Sequence, residues 1–130
     1  MHDEQWRQFF TLCVQLLGRG DSTPERSKTW CAWTTFTRLS QDAGYWTSGL
    51  PNEPDIGFAG IGDGGVWGQP FPYRELAHLI VPAQFYWERV ERDDFASGTK
   101  TQDLARLSAA LGGVGVTHRL TDLVLEIKLY

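Results

Sequence analysis

The chain has 130 residues, 42% hydrophobic and 22% charged, with a net charge of −4 at neutral pH. That length suits one domain, and the balance excludes a disordered chain, which needs fewer apolar residues and a larger charge excess. The acidity argues against a nucleic-acid binder, which neutralises phosphates with a basic footprint, and leaves a cationic partner or plain solubility.

Asp3 can cap a first helix, with Glu4 in its first turn where the helix dipole favours negative charge. Trp6, Phe9, Phe10, Cys13, Leu16 and Leu17 then recur every three or four residues, which predicts one apolar helical face. Gly18 and Gly20 end it, and Asp21-Ser22-Thr23-Pro24 reads as a loop. Lys28 to Leu39 mixes β-branched and aromatic residues, which favours a strand. The spacing of Trp30, Trp33, Phe36 and Leu39 leaves a helix open there.

Ser40 to Tyr73 is rich in turn formers, with strands expected at Asp55–Ile61 and around Val66-Trp67. Glu75 to Val90 carries two apolar runs around Pro82, which is easiest to place at a strand edge, at a bulge or between two strands. Arg89 to Ser97 reads as a polar surface connection. Thr99 or Thr101 is expected to cap a second helix, with Leu104, Leu107 and Leu111 as its stripe and Gly112-Gly113 as its stop. Val114, Val116, His118 and Leu120 alternate, as do Leu123, Leu125, Ile127 and Leu129, which predicts a β-hairpin turning at Thr121-Asp122. The fold class expected is therefore α+β: a single domain, residues 1–130, with a mainly antiparallel sheet packed by the two helices.

No motif for catalysis or cofactor binding emerges. Gly60-Ile61-Gly62-Asp63-Gly64-Gly65 has the glycine spacing of a dinucleotide loop, but Gly68, Pro70 and Pro72 forbid the helix that must follow it. His2, His78 and His118 are scattered and the cysteines are unpaired in sequence, so no metal site and no cofactor are expected. Cys13 and Cys31 read as reduced core residues. The N-terminus lacks a signal-peptide pattern, and no apolar run nears the ~20 residues needed to cross a membrane, so a cytoplasmic protein is expected.

The charge pattern is the most informative feature. Between Arg38 and Arg74 there is no Lys, Arg or His, while Asp42, Glu53, Asp55 and Asp63 carry −4, the net charge of the whole chain. Tyr45, Trp46, Phe58, Trp67, Phe71 and Tyr73 lie in the same interval. Aromatic anchors with an acidic rim suit docking to a basic protein. Asp42, Trp46, Asp55, Asp63 and Trp67 are the candidate contact residues, set against the alternative that the rings fold into the core.

The ending His118-Arg119-Leu120-Thr121-Asp122-Leu123-Val124-Leu125-Glu126-Ile127-Lys128-Leu129-Tyr130 resembles the C-terminus of small bacterial families known only as domains of unknown function. The run from Pro72 to Val81 occurs there in a similar order, so the resemblance covers about the last 60 residues. The compact acidic format also resembles immunity proteins that neutralise bacterial toxins, which implies a non-enzymatic inhibitor of a basic protein. The competing expectation is a small enzyme or ligand-binding domain whose cleft gathers Trp46, Asp63, Trp67 and His78. A homo-oligomer remains open.

Overall fold

A computed structural model describes residues 1–130. Helix α1 spans Asp3–Leu17, and its N-cap is His2, not Asp3. The imidazole accepts the Gln5 N–H while the Gln5 side chain accepts the His2 N–H, a reciprocal box that leaves Asp3 and Glu4 in the first turn. Trp6, Phe9, Phe10 and Cys13 form the buried face as the periodicity predicts. Gly18 closes the helix at φ 106°, a conformation that side-chain-bearing residues rarely adopt.

The 28–39 stretch resolves both ways. Strand β1 spans Cys31–Thr35 and helix α2 spans Phe36–Gln41. The switch sits at Thr35, whose hydroxyl accepts the Arg38 N–H and caps α2. Strand β2 follows at Trp46–Ser48. The strand expected over Asp55–Ile61 is instead a 3-10 turn at Glu53–Asp55 with Pro54 inside it, then strand β3 reduced to Gly60–Ile61. Val66 and Trp67 lie in a turn, and β3 pairs with strand β4, Phe71–Pro72, and through Ile61 makes a single bridge to Ile56.

Strands β5 (Leu76–Pro82) and β6 (Gln84–Glu91) meet at Ala83. Pro82 is the last residue of β5, paired with Val124, and Ala83, not Pro82, lies between the two strands. Arg89 to Ser97 is not a connection: strand β7 (Asp94–Thr101) pairs with β6 in eight unbroken steps. Thr99 and Thr101 are therefore strand residues, and Asp103 caps helix α3 (Leu104–Gly113) by accepting the Arg106 N–H. Only Arg119–Leu120 of the expected 114–120 strand is extended, as β8, because Gly115 at φ 73° turns the preceding chain. Strand β9 (Val124–Lys128) lies inside the sheet as expected.

The main sheet has five strands in the order β2-β1-β5-β9-β8, and every pairing in it is antiparallel. The architecture is α+β, with the core on one sheet face. Trp33, Leu79, Val81, Leu125 and Ile127 join the α1 rings and Leu104, Leu107 and Leu111 of α3 in one cluster. Alternation sends Thr34, His78, Ile80, Glu126 and Lys128 to the opposite face. Cys13 and Cys31 are free and fully buried, and burial pushes both thiols up, away from the reactive thiolate. No helix is long and apolar enough to cross a membrane.

Candidate protein-binding surface

The five candidate contact residues do not form one patch. Trp67 belongs to the core: its ring stacks on Trp33 at 3.8 Å between centroids and 6° between planes. Its indole N–H donates to the Gly49 carbonyl at 3.0 Å, so a ring face and its polar tip are used internally. Trp46, across β1–β2 from Trp33, is half-buried, and the Arg38 guanidinium lies 4.5 Å above its ring. The same Arg38 donates to Asp42 at 2.7 Å, and Asp42 also accepts the Gly44 N–H. Those two bonds hold its carboxyl below the usual range, Arg38 contributing most. The cation just outside the charge gap thus neutralises one of its four acids.

Glu53, Asp55 and Asp63 have no such partner, since the five ion pairs of the chain involve none of them. Pro54 favours the tight turn at Glu53–Asp55, and the Asn52 side chain fixes its entry by exchanging two hydrogen bonds with the Gly20 backbone. Gly62 N–H donates to the Asp55 carbonyl at 2.8 Å and folds the glycine-rich turn back onto it. Gly65 lets the Asp55 carboxylate pack against its backbone, since a Cβ there would stand 1.9 Å from that carboxylate and displace it.

The turn is a ridge between two hollows. Glu53 faces a groove of about 460 Å³ floored by Leu12, Ile56 and Val114 and edged by Glu4 and Arg7. Asp55 faces a polar hollow of about 300 Å³ shared with Arg19, Asp21 and Asn52. Phe58 stands beside the ridge with 82% of its surface exposed, and Arg7, ion-paired to Glu4, covers one ring face at 4.8 Å. Phe58 is therefore the most exposed ring of this segment, whereas Trp46 and Trp67, the rings singled out from the sequence, are half-buried and buried.

A second polar array lies on the outer sheet face. The Glu126 carboxylate can only accept, so His78 Nε2–H donates to it at 2.7 Å, and Nδ1 shares a hydrogen bond with the Tyr45 hydroxyl at 2.8 Å. Arg119 donates to the other Glu126 oxygen at 3.1 Å. His78 chiefly, with Arg119, holds the Glu126 carboxyl below its ordinary range. Burial, then the Tyr130 hydroxyl, pushes the Tyr45 phenol up to about 12, so it stays protonated. None of the hollows that hold Glu53 or Asp55 includes His78, and Trp67 lies on the far side of the sheet from it. The cleft of Trp46, Asp63, Trp67 and His78 does not exist.

His118 is likewise committed to structure, bonded to Ser108 at 2.6 Å and to the Val116 carbonyl at 2.8 Å. No group of three or more His, Cys, Asp or Glu side chains is arranged to hold a metal ion. No family model, curated protein or solved structure matches the chain.

Proposed function

We propose that this chain is a non-enzymatic binding domain that docks its Glu53–Asp63 ridge on a basic protein, as an immunity-type inhibitor does. The observation that carries this reading is the set of three carboxylates, Glu53, Asp55 and Asp63, left without an ion pair beside an exposed Phe58. Unpaired acids on a braced turn repel one another and attract a cationic surface, and the accompanying ring supplies the apolar anchor. The groove under Glu53 suits a lysine or arginine side chain, whose stem would lie on Leu12, Ile56 and Val114 while its head meets the carboxylate.

Asp42, Trp46 and Trp67 leave the proposed contact set, and Glu53 and Phe58 enter it. The test is capture from the source cell by the tagged chain beside an E53Q/D55N/D63N variant and an F58A variant. The reading expects a basic protein retained by the parent chain and lost by both variants. Equal retention by all three would remove the ridge from the account.

A further inference from the structure

The β6–β7 ribbon has two free edges of different character. Along β6, Glu88, Arg89 and Glu91 place charges at close intervals. Along β7, Phe95-Ala96-Ser97-Gly98-Thr99 has no charge and no proline, and its unbroken register leaves no bulge. Charge, proline and bulges are the devices that normally keep an edge strand from pairing, and β7 lacks all three across these five residues.

The turn at Arg92–Asp93 has two residues, so the closing pair Glu91–Asp94 is of the hydrogen-bonded kind. Phe95, Ser97 and Thr99 consequently point their N–H and C=O groups away from β6. No hydrogen bond from elsewhere in the chain reaches those outward groups. Phe95, Ser97 and Thr99 are all exposed.

We infer that β7 pairs with β7 of a second copy, antiparallel about a two-fold axis at Ser97. That register sets Ser97 against Ser97, Phe95 against Thr99 and Asp94 opposite Lys100 of the second copy, the last twice by symmetry. The Lys100 ammonium is held by the Pro24, Glu25 and Ser27 carbonyls, so it favours the register through its charge and not through a direct ion pair. Sliding the axis to Gly98 sets Lys100 against Ala96 and moves the opposite charges of Asp94 and Lys100 apart. Pairing through β6, in the register that matches Tyr86 to Val90, would set Glu88 against Glu88. The β7 arrangement also joins the exposed Tyr86, Val90 and Phe95 of both ribbons on one face of a four-stranded sheet. Beyond its anchored base the two-stranded ribbon has no third strand, an arrangement that is marginal in water, and the added strands remedy that.

Analytical ultracentrifugation over a concentration series tests this with the parent chain, S97P and S97K. Proline at 97 removes an N–H that β6 does not use, and lysine restores an edge charge without altering the backbone. The parent chain should sediment as a dimer, and both variants should weaken association by about tenfold or more. Circular dichroism and unfolding midpoints of the variants should stay near those of the parent chain. A parent chain that stays monomeric at the highest attainable concentration would overturn the inference. So would a dimer that S97K, folded like the parent, leaves unchanged.

Discussion

At position 126 one carboxylate serves two donors, His78 and Arg119, and its ordinary pKa is lowered as a result. A carboxyl whose folded pKa lies below its unfolded value stabilises the fold above the unfolded pKa, near 4.3 for Glu. That contribution fades as pH falls through the folded pKa. The stability gap between the parent chain and E126Q should therefore narrow between about pH 5 and pH 2, as read by urea unfolding at each pH. A gap that stays constant through that range would show that the pairing adds nothing. Gly49 is a second single-residue control point, because a Cβ there would lie 2.4 Å from the Asp21 carbonyl and 2.5 Å from the Ser27 hydroxyl. G49A should lower stability by about 2–4 kcal/mol in denaturant unfolding, with the helical signal of the folded state retained. Neither position stands out in the sequence, since each depends on which distant segments meet. His78 and Glu126 become neighbours only because β5 and β9 pair, and sheet order is not written in local periodicity.

Elements with one buried face were legible, and those without one were not. The α1 stripe and the 123–129 alternation each mark a core face, and both appear as read, although Leu123 itself is exposed. The β6–β7 ribbon was hidden from Arg89 onward because both its faces there meet solvent, so apolar residues such as Val90 and Phe95 are sparse and no period survives. Its base, by contrast, is firmly held. The Lys100 ammonium donates to the Pro24, Glu25 and Ser27 carbonyls, and Phe85 stacks on Trp30 at 5.8 Å. K100M should release the ribbon from the 24–27 loop, raising amide exchange across β6 and β7 while the five-stranded sheet keeps its protection. The expected loss is about 1–3 kcal/mol. Gln102 fixes the same junction, its side chain bonding the Trp30 N–H and C=O and the Pro82 carbonyl. Q102L would orphan these buried groups and should cost about 3 kcal/mol, seen as a lowered unfolding midpoint.

Over the whole molecule, charge and core divide the middle segment between them. Trp67, Phe71 and Tyr73 are buried with Trp33 and the α1 rings, while Glu53, Asp55, Phe58 and Asp63 stay at the ridge. The charge gap was readable from residue order alone, but which of its rings turn inward was not, because that depends on the Trp33–Trp67 stack formed across distant segments. The pairing of Asp42 with Arg38 then reduces the unmatched acids to three. The most direct test is the association rate of the basic protein captured by this chain, measured by stopped flow over a range of ionic strength with the parent chain and D55N/D63N. The ridge account predicts a rate several-fold lower for the double variant at low salt, and a flatter dependence on ionic strength. An unchanged rate with an unchanged salt slope would contradict it.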